Sequence, residues 1–129
     1  MTALKKDDIE LVNEAKRILN LRKSSYSKTG CAIRVQSGKV FSAVNIRIHN
    51  SAPCSICAEQ AAIGKAVSEG YDKIVCLVSV GDWKGTNGVE IISPCGMCRQ
   101  FVKQFGNPFF IIKNKNKLVK KKLNALLPD

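Results

Sequence analysis

Four of the six cysteines stand in two Cys-x-x-Cys pairs, Cys54–Cys57 and Cys95–Cys98. In a chain that does not look like a secreted disulfide scaffold, such spacing points to metal binding, and soft sulfur donors suit zinc. The residues alone leave two arrangements open. All four thiolates could close one structural zinc site with no free position. Pairs in zinc ribbons are usually separated by about 15–20 residues, whereas here a helical segment and an apolar run intervene, which assigns the pairs to separate crossovers. The other arrangement is an open site on Cys57, Cys95 and Cys98. Glu59, two residues after Cys57, could then take the proton of a water whose pKa the metal lowers towards about 7. Cys54 is left as a spare thiol, at a pocket rim or buried. Cys31 and Cys76 sit in apolar runs and are expected to be buried core thiols.

The elements that must position these groups follow from patterning. Ser55 is expected to cap a helix over about Ile56–Glu69, closed by Gly70, with Cys57 at its second position. Ser93 is expected to cap a further helix from Cys95 to Phe105, with Pro94 at its first position and Cys95 at its second. Thiols at helix N-termini are favoured as thiolates. Upstream, Asp7 and Glu10 have capping-box spacing, and Ile9, Val12, Ala15, Ile18 and Leu19 recur on one helical face. Ala32, Ile33 and Val35, a Ser37-Gly38 turn, and Val40 to Ile46 read as a hairpin. Ile74–Val80 is a continuous apolar run, the mark of a strand buried on both faces. Gly106-Asn107-Pro108 breaks the third helix ahead of a strand at Phe109–Ile112, and Leu123, Leu126 and Leu127 mark a short last helix. The expected order is α-β-β-α-β-α-β with a final short helix, a sheet covered on both faces.

The chain of 129 residues carries a net charge of +11. Length and composition point to a single domain spanning residues 1–129. No apolar run is long enough for a membrane span, and the first residues lack a secretory core, so a cytoplasmic protein with no membrane partner is expected. The basic balance would suit an anionic partner, but charge alone speaks to solubility and nonspecific binding. The lysines of Lys113–Lys122 read as a solvated turn and helix face. His49, the sole histidine, reads as a surface or packing residue, and Trp83 as a substrate cover or an oligomer contact.

Cys57-Ala58-Glu59 followed by Ser93-Pro94-Cys95-Gly96-Met97-Cys98-Arg99-Gln100 fits the zinc-deaminase signature of a ligand-x-Glu element and Pro-Cys-x-x-Cys. It closely resembles the small three-cysteine cytidine deaminases and the related blasticidin-S deaminases. The resemblance extends to Ser37-Gly38-Lys39-Val40, Asn45-Ile46 and the Asn124–Pro128 segment. It implies a cytidine deaminase-like three-layer α/β/α fold with a five-stranded mixed sheet. It also implies a homo-oligomer, a tetramer, with sites near subunit contacts. The implied reaction is hydrolytic loss of an exocyclic amine from a cytosine nucleoside or related small pyrimidine, releasing ammonia. In that resemblance Cys57, Cys95 and Cys98 hold zinc (Zn2+), Glu59 carries the proton, the Ser93 carbonyl meets the substrate amine, and Asn45, Arg47 and Ala58 fall at substrate-contact positions.

Three departures touch substrate recognition. The family's Asn-x-Glu is Asn45-Ile46-Arg47 here, so a guanidinium donor replaces an acceptor. The aromatic that follows Tyr-Ser in the family is missing after Tyr26-Ser27, and Cys-Ala-Glu-Arg is Cys57-Ala58-Glu59-Gln60. Arg47 therefore opens an alternative substrate, an acidic cytosine derivative such as a blasticidin-S-like nucleoside or a nucleotide. A chain this short lacks the added loops of a polynucleotide editor, so no nucleic-acid substrate is expected. Outside enzymes, the competing reading is a structural zinc module whose lysines bind nucleic acid nonspecifically.

Overall fold

The computed structural model describes residues 3–51, 54–82, 89–93 and 96–126. The chain opens with α1 (Lys6–Arg22), followed by the hairpin strands β1 (Thr29–Val35) and β2 (Val40–Val44). Next come α2 (Ala58–Ser68), β3 (Ile74–Gly81), β4 (Glu90–Ile92) and α3 (Gly96–Lys103). β5 (Phe109–Asn114), β6 (Lys117–Lys122) and α4 (Leu123–Leu126) complete the described part. The main path of the sheet is β2-β1-β3-β5-β6, with β4 added beside β3. β3 and β5 run parallel and every other pairing is antiparallel. The mixed five-strand path therefore matches the sheet that the resemblance implies, whereas patterning gave four strands and neither β4 nor β6. Among the described residues no helix is long and apolar enough to cross a membrane.

The two-residue period of β1 and β3 divides the core. Cys31, Ile33, Val35 and Leu77 face Ala62, Ile63 and Ala66 of α2, while Ala32, Cys76, Val78 and Val80 face Leu11, Val12, Ala15 and Leu19 of α1. Helices thus cover both faces, the three-layer arrangement of an α/β/α domain. Cys31 and Cys76 are buried, as expected of core thiols.

Several local expectations are corrected. Asp7 does not start α1: Lys5 is the N-cap, and Asp8 Oδ2 accepts the Lys5 backbone N–H at 2.8 Å. Ile9 is exposed, and the buried stripe is Leu11, Val12, Ala15 and Leu19. β2 ends at Val44, two residues short of Ile46. The largest correction is β6. Lys117–Lys122 is neither a turn nor a helix face but an edge strand antiparallel to β5. Lys115 and Asn116 make the connection with positive φ of 51° and 66°, a hairpin turn without glycine. Lys120, on that strand, is buried in an ion pair with Asp8 at 2.9 Å.

Candidate active site

The site is assembled by a seam of hydrogen bonds that follows β2. Asn45 sits where the chain leaves the sheet, and its Oδ1 accepts the backbone N–H groups of Lys28 at 2.8 Å and Thr29 at 3.0 Å. Those two bonds fix the carboxamide orientation and leave its NH2 as the remaining donor. Ile46 and Ile56 then exchange two backbone bonds, at 2.9 and 2.8 Å. The Arg47 N–H donates to the Tyr26 carbonyl at 2.8 Å. The Ile48 N–H donates to Ser55 Oγ at 2.9 Å. Residues 45–48 are thus clamped between 26–29 and 55–56, directly before Cys57.

This seam changes how α2 begins. Ser55 is not its cap, because its hydroxyl is used by Ile48. Cys57 itself is the N-cap, and its backbone N–H donates to Gln60 Oε1 at 3.2 Å. Gln60, which stands where the resembling family has arginine, closes the first turn of the helix. The Cys57 side chain is half-buried, placed against the unpaired N–H groups of a helix start, where a thiolate is favoured. Cys54 lies outside this helix start; it is exposed and accepts a hydrogen bond from Ser51 Oγ at 3.1 Å.

Ala58 is buried in the first turn, and Glu59 follows it, only 6% exposed. A carboxylate this far from water needs partners. Glu59 Oε2 accepts the Ser79 hydroxyl at 2.6 Å. Ser79, 1% exposed, lies in the middle of β3 opposite Cys31 of β1. Burial, and next the Glu59 charge, push the Cys31 thiol well above its ordinary range, while the Ser79 hydroxyl works in the opposite direction. Cys31 is therefore a neutral thiol. Sequence reading placed Cys31 in the core without linking it to the site, and it overlooked Ser79. The signal for Ser79 was a lone hydroxyl within the apolar run Ile74–Val80.

β4 brings the chain back to the same part of β3. Ile92 pairs with Ser79, the residue that holds Glu59, and exposed Ser93 comes next in the chain. The expected cap by Ser93 involves Pro94 and Cys95, which lie outside the described residues, as does Trp83. α3 begins at Gly96 and includes Cys98 within its first turn, and α3 packs against α2. The structure thus brings Asn45, Arg47, Cys57, Ala58, Glu59 and Ser93 onto connected segments at one end of the sheet. Arg47 and His49 are exposed there. Among the described residues no cluster of three metal-ligating side chains forms.

A buried acid thus stands two residues beyond the N-cap thiol of one helix, with a second helix packed beside it on a mixed α/β/α sheet. Comparison with known proteins gives the family. Residues 5–113 match the model of the cytidine and deoxycytidylate deaminase zinc-binding region. A blasticidin-S deaminase from Bacillus cereus is 34% identical over 130 residues, covering 97% of this chain and 92% of that protein. A cytidine deaminase from Sporosarcina psychrophila is 34% identical over 128 residues, covering 94% and 89%. Among solved structures, the cytidine deaminase of Burkholderia pseudomallei superposes with a TM-score of 0.75 at 27% identity, covering 98% of each chain. That of Mycobacterium leprae, at 22% identity and a TM-score of 0.78, agrees in fold over 97% of this chain. The chain belongs to the cytidine and deoxycytidylate deaminase family. Membership removes the reading as a purely structural zinc module.

Proposed function

We propose that the protein is a zinc-dependent aminohydrolase that converts a free cytosine nucleoside, or a closely related small pyrimidine, to its uracil counterpart with release of ammonia. The observation that carries this reading is the Glu59 carboxylate. It is nearly buried, two residues beyond the N-cap thiol of α2, and tied through Ser79 to the strand that pairs with β4 just before Ser93.

The donor set fits zinc. Cys57 sits at a helix start that favours its thiolate, Cys98 is in the first turn of the helix packed beside it, and Cys95 comes directly before that helix in the sequence, so these three would hold the ion. When bound, zinc supplies Lewis-acid activation of the attacking water. Glu59 would accept the first proton of the attacking water and pass it to the ring nitrogen, then take the remaining hydroxyl proton as the carbonyl forms and pass it to the departing amine. Water and the amine substrate are thereby balanced by a carbonyl product and ammonia. The backbone carbonyl of Ser93 accepts from the substrate amine, and Ala58 presents its backbone beside the acid. Asn45, its oxygen already committed to Lys28 and Thr29, offers only N–H donors to a ligand.

Arg47 gives a second reading its footing. Its backbone is pinned to Tyr26, its side chain is exposed, and it lies two residues from Asn45 along an extended segment, on the same side. A planar cation there suits an acidic cytosine derivative, a blasticidin-S-like nucleoside or a nucleotide. Tyr26, Ile46, Ile48 and Ile56 are exposed apolar side chains around this seam, which supports a homo-oligomer closing over them, and the family resemblance favours a tetramer. A cytoplasmic setting, where thiolates stay reduced, suits the donor set.

The test is ammonia release from cytidine, deoxycytidine, their monophosphates and blasticidin-S by the zinc-loaded protein. Glu59→Gln should keep fold and zinc yet lose about 10²–10⁴-fold in turnover. Release from none of these substrates, or near-normal turnover by Glu59→Gln, overturns the proposal.

A further inference from the structure

On the sheet face under α2, polarity is concentrated at one spot. Ile33, Leu77, Ala62 and Ile63 are fully buried around it, and Cys31 and Ser79 are register partners on adjacent strands. An apolar residue would pack at Ser79 without any need for a partner, whereas a buried hydroxyl left unbonded is costly. The hydroxyl at this position has one hydrogen to donate, and it goes to Glu59 Oε2 at 2.6 Å. Glu59 is a long side chain with three rotatable bonds, and free in a pocket it would sample several rotamers. The Ser79 bond, made to a rigid central strand, holds one carboxylate oxygen. Oε1 has no hydrogen-bond partner among the described residues. Across the strand pair, buried Cys31 stands directly opposite Ser79.

We propose that Ser79 is a positioning residue: its hydroxyl clamps one oxygen of Glu59 against β3 and so aims the other at the reacting pyrimidine. This rests on the reading of Glu59 as the proton carrier. It differs from that reading in assigning the geometry of the acid to a buried strand residue. A hydrogen bond to a charged group held in this way acts on the chemical step more than on substrate capture.

The experiment compares zinc-loaded wild type, Ser79→Ala and Ser79→Thr. It measures kcat and KM on whichever pyrimidine wild type deaminates, with zinc content and melting temperature as controls. Ser79→Ala should lose about tenfold in kcat with KM changed less than about twofold, and Ser79→Thr, which keeps the hydroxyl, should stay within about threefold of wild type. Crystal structures of both variants give a readout independent of turnover: the Glu59 carboxylate leaves its place against β3 in the Ala variant and keeps it in the Thr variant. Unchanged kcat in Ser79→Ala, equal losses in both variants, a KM that rises in step with the fall in kcat, or an unmoved Glu59 overturns the proposal. A wild type that deaminates nothing defeats the functional reading instead, and the crystal structures still decide whether Ser79 holds the acid.

Discussion

Asp8 offers the sharpest test of how this fold is held together. Its carboxylate is 0% exposed and meets three donors: the Lys5 backbone N–H at 2.8 Å, Arg34 Nη2 at 3.0 Å and Lys120 Nζ at 2.9 Å. The start of α1, the middle of the sheet and its far edge strand therefore converge on one side chain. Burial pushes the Asp8 carboxyl up, but the Lys5 amide and the two cations together outweigh it and hold the group below its ordinary range. Asp8→Asn keeps the shape and removes the charge, leaving two cations facing each other. Breaking a buried pair from one side costs about 3–5 kcal/mol. Arg34 and Lys120 retain 17% and 8% side-chain exposure, so some hydration remains and the lower end, about 3 kcal/mol, applies. For a chain of this size that is a melting-temperature drop of about 10–15 °C. The pH dependence has a definite sign. A carboxyl depressed in the folded state contributes stability above its unfolded pKa of about 3.9, and that contribution is lost as pH falls through the folded value. Calorimetry of both proteins from pH 7 to pH 3 should therefore show a gap that narrows in acid. A drop of less than about 3 °C at pH 7, or a gap that stays constant into acid, would refute the reasoning.

Cys57→Ala should lose zinc and melt earlier, whereas Cys54→Ala, altering an exposed thiol, should keep full zinc content by metal analysis. Zinc loss from the Cys54 variant would restore a four-thiolate site. Gly30→Ala should destabilise by about 1–3 kcal/mol in urea unfolding, because a Cβ there comes 2.9 Å from the Ala15 carbonyl and 3.0 Å from Leu19 Cβ; an unchanged midpoint would mean that α1 can move off β1. Arg47→Glu should lower kcat/KM for an acidic cytosine derivative and raise it for cytidine, by about tenfold in their ratio if a charge-assisted bond is at stake. An unchanged ratio would leave Arg47 without a role in substrate choice.

What could be read in the sequence was local, and what could not depended on partners far along the chain. The β3 run, the β1–β2 hairpin and the Gly70 stop announce themselves through short-range patterning, and all three are present. The cap of α2 does not. Ser55 is the better capping residue by type, yet the Ile48 N–H claims its hydroxyl and passes the cap to Cys57. Asp7 and Asp8 are equally plausible before the fold is known. Only the arrival of Arg34 and Lys120 buries Asp8 and leaves Asp7 outside. β6 was hidden for the same reason. Lysines read as solvated residues, and they do suit an exposed sheet edge, but Lys120 turns inward because Asp8 waits for it, and Lys122 lies 4.4 Å from the Phe109 ring centre. The Cys57-Ala58-Glu59 triplet was legible as chemistry, but its support on β3 was not, since a single serine in an apolar strand carries no periodic signal.

The division of labour in this molecule follows from where each group is anchored. Glu59 and Ser79 belong to a helix and to the central strand of the sheet, and both are buried; under the proposed roles a change there should alter the geometry of the acid, and hence the rate. Asn45 and Arg47 belong to an irregular seam held by individual backbone bonds to Lys28, Thr29 and Tyr26. Loops held in this way accept new side chains with little effect on the core, so substrate preference can drift while the chemistry is kept. Arg47 where the resembling family has an acceptor, beside a Cys57-Ala58-Glu59 triplet that fits the family signature, is what such a separation permits. Asn45 marks the boundary between the two regions: its oxygen is a structural part of the β1 start, and its amide hydrogens are the donors that the proposed substrate contact would use. Replacing it should therefore loosen the seam and weaken substrate binding together, whereas replacing Arg47 should affect binding alone.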